Sequence, residues 1–251
     1  MYPSIDILGL SLPAGPLALI VAFYAGLWLA GREAERLHLN PNLPWDFGTA
    51  ALVAGIVGAR AWYVVANWPA YALDWKQAFA LASGSLAMAP GAIIGVVVGL
   101  IWIGRGGVDW PAFADVMAPG LALMQAIAGL GAFLSGEAYG KPSNVPWAVR
   151  LWGEARHPVQ LYEALVALAV LAGLWYLRRR KPYAGFVFPV YVLLAAVGRL
   201  FVEAFRGNPA LLPGGFRTMQ VISLIVAVVA LLGLYARDAG FIQLKPFGGD
   251  S

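Results

Sequence analysis

The chain of 251 residues has no cysteine and two histidines, His38 and His157, and 12% of its residues are charged. Each shortage excludes something. Without cysteine there are no disulfides, no thiolate metal ligands and no cysteine nucleophile of the chain's own. Two histidines make a multi-histidine metal centre an unpromising reading, and no metal ligand set stands out. A soluble domain carries about 25% charged residues; half that share leaves no segment polar enough to be one. The first residues, MYPSIDILGLSLPAGP, lack a basic stretch before an apolar core, so no cleaved signal peptide is expected, and no lipobox cysteine marks the chain as a lipoprotein.

What is present is hydrophobic: 61% of the residues are apolar. A spanning helix needs about 20 predominantly apolar residues. Seven windows qualify, roughly 13–31, 47–67, 79–104, 111–135, 158–177, 184–204 and 217–236. The expected fold is therefore all-α, one polytopic membrane domain over 1–251 with seven transmembrane helices. Basic residues fix its orientation. RRRK at 178–181 follows the fifth window, Arg32 and Arg36 the first, Arg105 the third, and Arg237 and Lys245 the seventh. These place the N-terminus outside, the C-terminus in the cytoplasm and the loop 136–157 outside. The third and fourth windows, rich in Gly, Ala and Pro (APGAIIG, APGLALMQAIAGLGAF), suit either close helix packing or a protein-lined cavity. A basic cytoplasmic edge is the ordinary topology signal and calls for no nucleic acid.

Charges inside a bilayer are costly and usually mark function. Arg60, Asp115, Glu163, Arg199 and Glu203 fall inside the windows, with Glu137 and Arg206 just beyond span ends. In GRLFVEAFRGNP, Arg199, Glu203 and Arg206 are spaced i, i+4, i+7 and share a helix face. Glu203 can pair with either arginine and leave the other to grip a phosphate in a planar fork; the other reading of that spacing is an internal ion-pair ladder. Arg60 has no acid near it in sequence, so its partner is a ligand or another helix, with Asp115 and Glu163 as options. RHPVQLYEAL crowds Arg156, His157, Gln160, Tyr162 and Glu163 into the start of the fifth window, with Gln160 and Glu163 on one face. SGEAYGKP sets Glu137 among glycines.

Taken in order, VGAR with Tyr63, ADVMAPGLALMQAI, FLSGEAYGKP, RHPVQLYEAL, GRLFVEAFRGNP and RTMQVISL resemble the prolipoprotein diacylglyceryl transferase family from about Asp46 to Leu234. The resemblance implies an enzyme of the bacterial cytoplasmic (inner) membrane with seven spans and an outside N-terminus. It implies transfer of the diacylglyceryl group of phosphatidylglycerol, or another anionic phospholipid, to the lipobox cysteine of a preprolipoprotein signal peptide. The products would be a thioether-linked precursor and glycerol phosphate, with no cofactor. Arg199, Glu137 and His157 are then the expected catalytic residues. Arg60, Gln160, Tyr162, Glu163, Glu203 and Arg206 are the expected substrate-binding set.

The pattern also departs from that family. Its signature GRIGNFINGE reads AGLGAFLSGE here, so Gly129 replaces the arginine, and Ala132 and Ser135 the asparagines. The SFHGG-type segment of the third span reads AMAPG, without histidine. Ala195 and Ala14 stand where tyrosines are expected. The alternative is a relative that uses another lipid or acceptor, or a silent lipid-binding protein. Gly129→Arg, Ala132→Asn and Ala89→His together are expected to raise activity if the cavity geometry is intact.

Overall fold

Hydropathy dictates most of the architecture. The computed structural model describes residues 4–7, 10–72, 74–79, 86–151 and 153–239. Helices lie at every predicted window: α1 (Ala14–Arg36), α2 (Leu43–Ala66), α4 (Met88–Gly104), α5 (Trp110–Ser135), α6 (Val159–Leu177), α7 (Val187–Glu203) and α8 (Thr218–Asp238); a short α3 (Trp68–Tyr71) precedes a 3-10 turn at Trp75–Phe79. Five of them, α1, α2, α5, α6 and α8, are long and apolar enough to cross a membrane. The helices α4 and α7 have 17 residues each. Part of the third predicted window, 80–85, and Lys245 lie outside the described residues.

The chain is mostly helical, as expected, and carries small additions to the all-α pattern. Two antiparallel hairpins occur: β1 (Ser4–Ile7) with β2 (Leu10–Pro13), and β3 (Val149–Leu151) with β4 (Glu154–Arg156). Their strands are three or four residues long, too short to stand out beside the long apolar windows. They pair backbone N–H and C=O groups before α1 and between α5 and α6, where no helix does so.

The residues fall into two compact units, Ala34–Asp109 and Met1–Glu33 with Trp110–Ser251. In the first, α2 and α4 approach along glycines; a Cβ at Gly55 would lie 3.3 Å from the Gly91 carbonyl oxygen. Without a hydrophobic drive between helices in lipid, such close approach is what holds them.

The second unit is built on α5, α6 and α7. Their shared core joins Ala118 and Ala122 to Val170, Leu174, Val187, Val190 and Tyr191. Asp115, 3% exposed, ties α5 to the start of α7. Its carboxylate accepts the backbone N–H of Gly185 (2.8 Å) and Phe188 (3.0 Å) and faces the Lys181 ammonium at 3.3 Å. An acceptor at a helix N-terminus satisfies groups the helix cannot pair itself. Glu33 of α1 pairs with Arg178, just past the end of α6. Outward, α8 presents Leu224, Ile225, Val228, Val229, Leu231 and Leu232, all exposed, as a lipid-facing surface does.

Past Ser135 the chain turns sharply on left-handed backbone at Gly136 (φ 76°) and Ala138 (φ 55°). It then pairs with the segment after α7: Lys141 N–H donates to Phe205 O (2.9 Å) and Gly207 N–H to Tyr139 O (3.0 Å). This roof covers the ends of α5 and α7 and the start of α6.

Candidate functional site

Three helices each contribute a stripe at i, i+3, i+4, i+7. Gln125, Ala128, Gly129 and Ala132 come from α5; Glu163, Val166, Ala167 and Val170 from α6; Ala195, Gly198, Arg199 and Val202 from α7. With Leu19 of α1 they enclose a cavity of about 380 Å³, within the usual range for a small-molecule site. Small residues set its width. A Cβ on Gly129 would lie 3.0 Å from the Gln160 carbonyl oxygen and 3.1 Å from Ala164 N. A Cβ on Gly198 would collide with Val166. The walls are thus pinned where α5, α6 and α7 touch.

At one end sits a charge square. The Glu163 Oε1 atom accepts from Arg199 Nη1 and Arg206 Nη2, each at 2.5 Å. The Glu203 Oε2 atom lies 3.1 Å from Arg199 Nη2 and 3.2 Å from Arg206 Nε, within ion-pair range but without hydrogen-bond alignment. Glu203 is 1% exposed, and its carbonyl oxygen accepts from Arg217. Two cations and two anions leave the square formally neutral. The helical spacing of Arg199, Glu203 and Arg206 therefore yields the ladder rather than a spare arginine: each arginine meets both carboxylates. The Arg199 side chain is still 34% exposed and lines the cavity. A carboxylate that accepts from both arginines fixes the guanidinium planes, which is what bidentate anion recognition requires.

The other expected residues distribute as follows. Gln160, 1% exposed, donates through Nε2 to the Glu137 carbonyl oxygen; it steadies the turn after α5 and does not line the cavity. Glu137 is exposed beyond the end of α5. His157 Nδ1 lies 3.1 Å from the Tyr162 hydroxyl, which also accepts from Trp147 Nε1 at 2.7 Å. With Phe205 packed on both rings, these residues form a cluster under the roof, next to the square in sequence but outside the cavity lining. Arg60 belongs to the other unit. It is 8% exposed, donates to the carbonyl oxygens of Ala78 (2.8 Å) and Gln77 (2.7 Å), and lies over the rings of Tyr63 and Tyr71. It holds the 75–79 turn onto α2. Asp115, one of its expected partners, is engaged with α7 instead.

Two residues escaped sequence reasoning. Arg217 braces the square from the start of α8, donating to the carbonyl oxygens of Glu203 and, at 3.4 Å, Arg206. Gln125 lines the cavity away from the square. Both lie inside motif blocks, RTMQVISL and ALMQAI; a polar residue on an otherwise apolar stripe was the available signal. Among the described residues no cluster of metal-ligating side chains occurs.

Comparison with known proteins gives a consistent answer. The family model described as prolipoprotein diacylglyceryl transferase matches residues 5–236. A phosphatidylglycerol–prolipoprotein diacylglyceryl transferase of Clostridioides difficile (strain 630) is 34% identical over 207 residues, covering 82% of this chain and 83% of that protein. The protein of the same name from Thermosynechococcus vestitus is 32% identical over 234 residues, covering 87% and 86%. That from Oceanobacillus iheyensis is 31% identical over 245 residues, covering 89% and 85%.

Proposed function

The chain belongs to the prolipoprotein diacylglyceryl transferase family, and on that premise we propose that it is a multi-pass membrane enzyme that moves the diacylglyceryl group of phosphatidylglycerol onto the lipobox cysteine of a preprolipoprotein. The observation that carries the chemistry is the cavity itself: apolar along its walls, with a paired but accessible arginine at one end. In the reaction the cysteine sulfur attacks the glyceryl carbon that bears the phosphate. The carbon–oxygen bond to phosphate breaks, a thioether forms, and glycerol phosphate leaves with the bonding electrons. Arg199 meets the growing charge on the departing phosphate, in surroundings where water does not screen it. Glu163 and Glu203 orient Arg199, and Arg206 completes the square. A thiol has a pKa of about 8.5 and needs a base; His157 takes the proton, and Glu137 supports the acceptor beside the roof.

The helices α4 and α7, about 25 Å long at 1.5 Å per residue, are short for a hydrocarbon core of about 30 Å. With the five longer helices they complete seven spans, with the N-terminus outside and the C-terminus in the cytoplasm. The enzyme resides in the inner membrane, and its acceptor is the signal peptide of a preprolipoprotein.

One observation favours a second reading, a relative with a different lipid or acceptor or a silent lipid-binding protein. Gly129, Ala132 and Ala195, which stand where the family has an arginine, an asparagine and a tyrosine, all lie on the cavity wall. The test is transfer in vitro. Purified protein, phosphatidylglycerol vesicles and a lipobox peptide are incubated and the peptide is weighed by mass spectrometry. Added mass of one diacylglyceryl group, cut about 10²–10³-fold by Arg199→Ala, is the expected result. His157→Gln and Glu137→Gln in the same assay read their shares. Unmodified peptide, beside an active relative in parallel, would overturn the transferase reading in favour of the second.

A further inference from the structure

We propose that Gln125 is a specificity-determining residue, whose side-chain amide donates a hydrogen bond to an acyl ester carbonyl of the bound phospholipid. The proposal rests on the transferase reading and adds to it a contact that selects the linkage of the fatty chains.

Three observations carry it. The first is chemical. Of the residues lining the cavity, only Glu163, Arg199 and Gln125 carry polar side chains; the rest are aliphatic or glycine. Glu163 and Arg199 are joined to each other in the square. Gln125 is exposed on the stripe, and among the described residues its amide has no hydrogen-bond partner.

The second is energetic. An amide in an apolar setting without a partner costs about 2 kcal/mol or more, and the other polar groups of the cavity lining, Glu163 and Arg199, are already joined to each other. A leucine at this position would follow from packing alone. The amide is explained by a group that comes and goes with the ligand.

The third is position. Gly129 lies level with the first turns of α6, where an added Cβ would meet Gln160 and Ala164, and Glu163 lies in the same turns. Gln125 precedes Gly129 by one helical turn, about 6 Å along α5, on the side away from the square and towards the core of Val170 and Ala122. A phospholipid with its phosphate at Arg199 and its chains running along Val166 and Val170 places its ester groups between the two ends, a few covalent bonds from phosphorus. Esters there offer carbonyl oxygens and no donors. The amide N–H of Gln125 matches that chemistry. The head-group hydroxyls lie on the far side of the phosphate and do not reach this turn.

The proposal separates two lipids that share shape and charge. Diester phosphatidylglycerol has the carbonyls; its dialkyl-ether analogue of equal chain length lacks them. Two readouts are taken on the purified full chain in neutral detergent micelles: transfer to a lipobox peptide, and displacement of a fluorescent phosphatidylglycerol. The parent protein is expected to favour the diester about tenfold, the worth of one hydrogen bond left unmade, and chiefly through KM. Gln125→Leu brings that ratio to about one by weakening the diester alone. Gln125→Met, a flexible chain of similar length, does the same and guards against a packing artefact of leucine; unchanged melting of either variant confirms that the fold is kept. A parent protein with no preference, or a preference that survives both substitutions, overturns the assignment. Displacement that discriminates while no peptide is modified leaves Gln125 assigned and sinks the transferase reading instead.

Discussion

Glu163 accepts two guanidinium groups on one oxygen atom, so the square has a single weak point. Glu163→Gln keeps the shape and removes one negative charge, leaving two arginines with one carboxylate. Breaking a fully buried pair costs about 3–5 kcal/mol; the Glu163 side chain is 22% exposed, which puts the expected loss lower, at about 1–3 kcal/mol. For a chain of this size that is a fall of roughly 2–4 °C in Tm per kcal/mol, read by thermal melting in detergent. The same substitution turns a neutral cluster into a cationic one, so phosphatidylglycerol should displace a reporter lipid more readily. A variant that melts like the parent and binds no better would show that the square neither braces the site nor restrains the arginines. The sequence revealed three corners of it, because Arg199, Glu203 and Arg206 share a helical period. The fourth corner comes from another helix, and no period links Glu163 to it. Spacing also put Gln160 and Glu163 on one face. They do share that face of α6, yet one bonds the turn after α5 and the other Arg199 of α7 and Arg206 just past its end.

At the scale of elements, hydropathy placed every long helix, and its bounds fall within a few residues except at the start of α4, which begins at Met88 where the window began at 79. It stopped α1 early, since Arg32–Arg36 continue the helix after the apolar run ends. It overlooked both hairpins, whose strands are three or four residues long. The cavity was harder still to read. Its walls are made of alanine, glycine and valine, which carry no chemical signature, and only their alignment across three helices makes a space. Gly129 shows the consequence. Replacing it with arginine looked like restoration, but its Cβ would press on backbone atoms of α6, which cannot rotate away. Gly129→Ala is therefore expected to force α5 and α6 apart and cost about 1–3 kcal/mol, the usual penalty for overpacking, with Gly129→Arg worse and the triple variant inactive rather than improved. A Gly129→Ala protein that melts at or above the parent temperature would show that the helices have room to give.

For the molecule as a whole, the absence of native cysteine makes orientation directly measurable. Asn144 and Arg179 are both exposed, one in the loop before β3 and the other after α6. In the proposed orientation, a maleimide that cannot cross membranes labels Asn144→Cys in intact spheroplasts and Arg179→Cys only after lysis; the reverse pattern would invert the topology. Charge bias alone carries that orientation. The division into two compact units was not legible in the sequence, because the apolar tally is the same on either side of it.

Three of the helices that wall the cavity, α1, α5 and α6, are long and apolar enough to cross a bilayer, and from that follows a point about supply. A lipid that enters between such helices arrives by sliding in the plane of the membrane, never through bulk solution. Its effective concentration is then a mole fraction. Adding more vesicles of one composition leaves turnover unchanged, whereas thinning the phosphatidylglycerol with a neutral lipid slows it. For this enzyme, the state of the membrane serves as the substrate dial.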